Sequence, residues 1–221
     1  MSAPSSPVVP ATTGLSRREE VKERRRLELI DATIRSIAKR GISDTTLADV
    51  ADIAGLSRGI VNFYFKSKDV LFADTLRFLA EEYRQAWQRA LAKAGDDPAQ
   101  RLRALLMVNF DPRIFSRKKI AVWYAFWGEA KSRPAYLAVC EEKDREYREA
   151  LDACVAAIVT SGRYQLDPLA VSRTLDAITD GFWLDRLTDP QCPPAEAFIA
   201  ATDLLLATFF PNHFPRTRDG G

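Results

Sequence analysis

The sequence predicts an essentially all-α protein of about nine or ten helices, and three observations carry that expectation. Apolar residues recur at three- and four-residue spacing along most of the chain. The interruptions are Pro, Gly and Asp, at 96–98, 111–112, 133–134, 166–168, 189–190 and 192–194, where a proline fits a first helical turn and breaks an interior. Alternating Val/Thr/Tyr runs joined by Asn-Gly, the signature of strands and hairpins, are missing.

Taken in order, residues 1–16 combine four Pro/Gly positions with small polar residues and are expected to form a disordered arm. From Arg17, Leu27, Ile30, Ile34 and Ile37 mark an amphipathic helix that Gly41 stops. Two short helices follow, over Leu47–Ala54 and Arg58–Tyr64, and then a longer one from Lys68 toward Ala94. The first three are expected to form a compact bundle. The expected organisation is therefore a small helical domain over 17–67, a larger helical domain over 68–211, and a tail over 212–221. Long helices are expected at about 135–161 and 168–187, with Leu151, Val155, Ile158, Leu175 and Ile178 on their apolar stripes.

Composition narrows the function. With 47% hydrophobic and 28% charged residues, the 221-residue chain can bury a core and remain globular. The net charge of +2 makes it no polycation, so affinity for nucleic acid has to come from a local surface. Residues 1–70 carry twelve Lys/Arg against nine Asp/Glu, which places the positive excess at the N-terminal end. Three cysteines, Cys140, Cys154 and Cys192, stand outside any CxxC pattern and read as ordinary thiols of a reducing compartment. The single histidine, His213, leaves little material for a catalytic triad or a metal site. Neither an enzyme, nor a cofactor, nor a metal is expected. No apolar run of about 20 residues occurs and the N-terminus has no apolar signal segment, so a cytoplasmic protein without a membrane partner is expected.

The most informative run is TTLADVADIAGLSRGIVNFYFKSKDVL, residues 45–71. Thr46 can cap a helix whose third position is Asp49, an acidic capping box, and Leu47, Val50, Ala51 and Ala54 give that helix one buried face. Gly55 supplies the positive φ of a tight turn, Leu56 is expected to enter the core, and Ser57 caps the next helix. On that second helix Arg58, Gly59, Asn62, Phe63 and Tyr64 face outward, while Val61 and Phe65 point in. A surface of this kind suits a major groove: Arg58 matches guanine, Asn62 matches adenine, Ser57 and Thr46 offer hydroxyls, and Lys68 is placed to hold a phosphate. The same spacing also fits a plain surface hairpin of helices. The preceding Arg24, Arg25 and Arg26 suit either a DNA backbone or a solvated helix face on which Glu20 supports Arg24.

This run resembles the N-terminal helix-turn-helix of TetR-family repressors nearly position for position, over residues 25–72. The resemblance implies that Thr46, Ser57, Arg58, Gly59, Asn62, Phe63, Tyr64 and Lys68 line the operator, with Asn62 standing where the family often has tyrosine. It also implies a homodimer on a roughly palindromic double-stranded DNA site, one recognition helix per subunit. A TetR-like fold and a small-molecule effector follow from the same resemblance. The helices at about 135–161 and 168–187 resemble the pair that forms the family's four-helix dimer interface, which implies Leu151, Val155, Ile158, Leu175 and Ile178 as seam residues without excluding them from the core of a single chain.

Two aromatic stretches in the C-terminal part bear on that effector. In IAVWYAFWGEAKSRPAYL, residues 120–137, Trp123 and Trp127 share a helical face. In DAITDGFWLDRL, residues 176–187, Asp176, Asp180 and Trp183 share another. A cation enclosed by aromatic faces gains roughly 0.5–2 kcal/mol per good contact. Ordinary core packing explains the same pattern. The segments 109–114, 122–136 and 177–187 resemble the choline-responsive branch of the TetR family. On that resemblance Trp123, Trp127 and Trp183 are cage candidates, Asp180 or Glu129 the counter-charge, and Asn109 a polar contact. The remaining alternative is a sensor of a hydrophobic or other cationic molecule controlling efflux or catabolic genes. In either case the ligand is expected to act through the helix that starts at Lys68.

Overall fold

The computed structural model of the chain describes residues 16–215, so the expected arm, apart from Ser16, and the end of the expected tail lie outside the described residues. Among the described residues there are nine α-helices, one short 3-10 turn and no strand. The helices are α1 (Arg17–Arg40), α2 (Leu47–Ala54), α3 (Arg58–Tyr64), α4 (Lys68–Lys93), α5 (Pro98–Met107), α6 (Arg117–Ala130), α7 (Pro134–Ser161), α8 (Pro168–Thr188) and α9 (Ala195–Phe209). The all-α expectation holds, and the helix starts follow the punctuation. Ser16 closes a capping box with Glu19, Asp97 accepts from the Ala99 and Gln100 amides at 2.7 and 3.0 Å, and Asp167 accepts from Leu169 at 3.0 Å. Pro98, Pro134 and Pro168 each occupy a first helical turn, where the missing N–H costs nothing.

The chain divides into two compact units, one ending at Thr75 and the other starting at Leu76, inside α4. In the first unit Leu29, Ile30, Ile34 and Ile37 of α1 are buried together with Val50, Ala51, Val61, Phe65, Leu71 and Phe72. Polar groups inside this core are satisfied: Thr45 Oγ1 donates to the Gly41 carbonyl at 2.8 Å and lies 3.1 Å from Ser36 Oγ. Leu56, expected in the core, is only half-buried, as are Leu47 and Ala54. A helix of eight residues is too short to shield both of its ends.

In the second unit α7 packs against α5, α6 and α8, and α5 against α9. Leu102, Leu105, Ile120, Val122, Phe126, Leu206 and Phe210 fill its interior. Leu151, Val155 and Ile158 are wholly enclosed and Leu175 is 2% exposed within a single chain, so these candidates for a dimer seam are intramolecular core. Helical periodicity marks an apolar stripe without saying what covers it. The apolar surface left outward on these helices belongs instead to Leu137 on α7, Leu169 and Leu184 on α8, and Leu204 on α9. Among the described residues no helix is long and apolar enough to cross a membrane.

Candidate nucleic-acid interface and effector pocket

The first candidate site is built locally. Thr46 caps α2: its hydroxyl oxygen accepts from the Asp49 amide at 3.2 Å, while Asp49 Oδ2 accepts from the Thr46 amide and hydroxyl at 2.9 and 2.6 Å. These hydrogen bonds, led by the side-chain bond from Thr46, hold the Asp49 carboxyl below the usual range. The Thr46 hydroxyl proton is thus committed to Asp49. Gly55 turns the chain at φ 66 and ψ 33, in the left-handed region, and the Leu56 amide returns to the Ala51 carbonyl at 3.0 Å. Ser57 then accepts from the Ile60 amide at 3.4 Å and starts α3.

On α3 only Val61 is buried; Arg58, Gly59, Ile60, Asn62 and Phe63 are exposed, Phe63 at 79%. Arg58 and Asn62 make no ion pair or side-chain hydrogen bond among the described residues, so their polar groups face outward uncommitted. Gly59 has no positive φ, and a Cβ there would meet only Ser57 Oγ at 3.8 Å. The fold itself does not require glycine at 59. Lys68 is tied down: Nζ donates to the Ser43 carbonyl at 2.9 Å and sits 5.1 Å from the Phe72 ring centroid, leaving two ammonium protons for another acceptor. Tyr64 is half-buried, edge-on to Phe63 at 5.4 Å.

The second candidate site is a cavity of about 320 Å³ in the C-terminal unit. Tyr83 comes from α4, Asn109 from the 3-10 turn Val108–Phe110, and Tyr124 and Trp127 from α6. Lys143, Asp144, Tyr147 and Arg148 come from one face of α7, and Asp176, Thr179, Asp180 and Trp183 from one face of α8. Asn109, Trp127, Asp180 and Trp183 are therefore brought together as the sequence suggested. Trp123 lies behind the wall, 2% exposed and 5.8 Å from the Trp127 ring. Glu129 is not part of the lining and pairs with Arg133 at 3.3 Å, because it sits two positions past Trp127 and so on another side of the helix.

Asn109 organises the floor. Its Oδ1 accepts from Tyr83 Oη at 2.8 Å, and its Nδ2 donates to Tyr147 Oη at 2.8 Å and to the Leu106 carbonyl at 3.2 Å. Trp183 Nε1 donates to the Asn109 carbonyl at 3.2 Å. Both side-chain N–H groups of Asn109 are thereby used. Burial raises the pKa of Tyr83 and Tyr147, so both remain neutral phenols.

The charges are arranged unequally. Lys143 pairs with Asp144 at 2.9 Å and Arg148 with Asp176 at 3.0 Å, which leaves Asp180 as the lining carboxylate without an ion pair among the described residues. Asp180 stands at the mouth, where solvent still reaches it. Surrounding protein atoms and then the Asp176 charge push its carboxyl up to about 6, against a smaller pull from Lys143 and Arg148. Tyr124 Oη donates to the Asp180 backbone carbonyl at 3.2 Å, tying α6 to α8 at this point. Sequence reasoning placed Asp176 on the face of Asp180 but not in the site. It missed Tyr83, Tyr124 and the whole α7 wall. A helical wheel of 143–148 shows Lys143 and Tyr147 one turn apart, a signal too common to single out.

Known proteins match both parts of the chain. Residues 29–75 match the bacterial regulatory proteins of the tetR family, and residues 98–211 match the C-terminal region of BetI-type transcriptional repressors. The chain is 37% identical over 164 residues to the HTH-type transcriptional regulator BetI of Burkholderia thailandensis, covering 74% of this chain and 82% of that protein. Among solved structures, a transcriptional regulator from Pseudomonas aeruginosa PAO1 superposes with TM-score 0.74 at 23% identity, covering 89% of this chain and 95% of that one. A regulator from Saccharomonospora viridis, solved in complex with choline, superposes with TM-score 0.69 at 20% identity over 83% of this chain and 96% of that one. These families are transcriptional regulators, not enzymes. The chain belongs to the TetR family of transcriptional regulators and is a repressor of the BetI type.

Proposed function

We propose that this repressor holds a palindromic operator as a homodimer and releases it when a small organic cation of the choline class enters the pocket of the C-terminal unit. One observation carries the effector class: Asp180 presents a carboxylate without a counter-ion among the described residues to a cavity walled by Tyr124, Trp127, Tyr147 and Trp183. With all groups ionised the lining bears two cations and three carboxylates, so a single positive charge balances it. Aromatic faces add attraction for a quaternary ammonium, which has no N–H to donate. A volume of about 320 Å³ lies at the small end for ligand pockets and, with five charged side chains around it, opposes a lipid-like effector. The choline-bound neighbour supports the same class.

On the DNA side, Arg58 and Asn62 are uncommitted, Gly59 keeps the surface low, and Phe63 offers apolar contact to a thymine methyl. Ser57, Tyr64 and Lys68 surround them as backbone contacts, whereas the Thr46 hydroxyl, committed to Asp49, joins them only by leaving its cap. Two-fold symmetry of protein and operator would match, with the outward leucines of α7 and α8 available to the partner subunit. Helix α4 carries both Lys68 and Tyr83, so a shift at the pocket wall is felt by the helix that begins in the DNA-binding unit. The ligand acts by differing in affinity for the two states.

Calorimetric titration with choline, glycine betaine and 3,3-dimethyl-1-butanol, the uncharged carbon analogue of choline, tests the proposal, alongside release of a duplex selected from a random pool. Choline should bind at least about 10-fold tighter than the alcohol, the equivalent of one good charge contact. Equal binding of the two would rule out a cation site.

A further inference from the structure

The aromatic cage already has a cation in it. Lys143 Nζ lies 4.9 Å from the ring centroid of Tyr83, 5.1 Å from that of Trp123 and 5.2 Å from that of Trp127. All three distances fall within cation–π range. The side chain is 11% exposed, and among the described residues its one ion pair is with its sequence neighbour Asp144. No second positive charge can share these three ring faces without like-charge repulsion.

We propose that Lys143 is a tethered competitor of the effector: a quaternary ammonium binds by displacing the Lys143 ammonium from Tyr83, Trp123 and Trp127, and this residue sets the effector concentration to which the repressor responds. The inference rests on the reading of this pocket as a cation site. The exchange has a physical direction. A primary ammonium is strongly hydrated and regains three water hydrogen bonds when its flexible four-carbon stem swings outward. A quaternary ammonium has no such bonds to regain and gains most from the rings. Asp144 can leave with Lys143 as its partner, while Asp180 stays to meet the incoming charge. Trp123, which lies behind the cavity wall, becomes accessible only when Lys143 moves.

The test titrates tetramethylammonium and choline into the full-length wild type, Lys143→Met and Lys143→Gln, with thermal melts to establish that each variant is folded. Both variants should bind tetramethylammonium about 10-fold tighter than the wild type. Labelling of wild-type Lys143 with an amine-acetylating reagent, read by mass spectrometry, needs no variant and should increase when tetramethylammonium is added. If the variants bind no tighter and labelling falls on adding ligand, Lys143 stays in place and the competitor role is overturned, while the cation site stands on wild-type binding. If neither the wild type nor the variants bind either cation, the cation site and the competitor role fall together.

Discussion

The segment from Thr45 to Lys68 and the effector pocket achieve their chemistry in opposite ways. In the former, caps, turn and outward side chains are neighbours in sequence: Thr46 with Asp49, Gly55 with Ala51, and Ser57 with Ile60 are bonded three or four positions apart. In the latter, Asn109 alone links α4, α7 and α8 through Tyr83, Tyr147 and Trp183, partners 26, 38 and 74 positions away. Local hydrogen bonds let a surface be specified by a short run of residues. A cavity needs walls from elements that only tertiary packing assembles.

If that contrast is sound, damage to the two sites should separate cleanly. The largest effect is expected for Asn109→Leu, which strands two buried phenols. It should cost about 2–4 kcal/mol in urea unfolding and abolish choline binding, whereas the folded fraction keeps its operator affinity. A matching loss of operator affinity per folded molecule would break the contrast. Arg58→Ala should weaken operator binding by about 1–3 kcal/mol in a gel-shift titration and leave the choline isotherm unchanged.

Asp180→Asn should lower choline affinity by about 10-fold. The pH dependence sharpens this. With the carboxyl at about 6, wild-type affinity should be greatest above pH 7 and fall as pH drops through 6, while the variant stays flat across that window. Asp144, Asp176, Lys143 and Arg148 face this carboxyl, and the first two oppose its charge. A carboxyl pKa raised by folding means that stability falls as pH rises from the ordinary carboxylate range to about 6, stays lowered above it, and is restored by protonation. Because solvent reaches this carboxyl and screens its charge, only a fraction of that cost is expected, and Asp180→Asn should raise Tm by roughly 2 °C at pH 7.5. The smallest effect is expected for Gly59→Ala, a gain of about 0.5–1 kcal/mol in stability from better helix propensity. Its added methyl should weaken operator binding, and undiminished affinity would remove close backbone approach as the reason for glycine there.

The helix count, the starts at Asp97, Pro134 and Asp167, and the turn at Gly55 were legible because each depends on residues within one turn of one another. In the pocket Trp127, Asp180 and Trp183 were legible as aromatic and acidic positions on helical faces, and Asn109 only through the family resemblance. Glu129 was drawn in by proximity in sequence, yet its side of α6 turns it to Arg133. Leu151, Val155 and Ile158 show the same ambiguity: a stripe at helical spacing serves core and interface alike until the neighbouring helices are in place.

The sequence alone determined which segments are helical, where they cap and turn, and which side chains α3 holds outward, since these follow from hydrogen bonds and periodicity over three or four residues. Tertiary structure decided that a lysine of α7 stands against rings from α4 and α6, that Asp180 is the lining carboxylate left without an ion pair among the described residues, and that Trp123 lies behind the wall. Such relations depend on the packing of whole helices against one another, and on which ion pairs that packing permits.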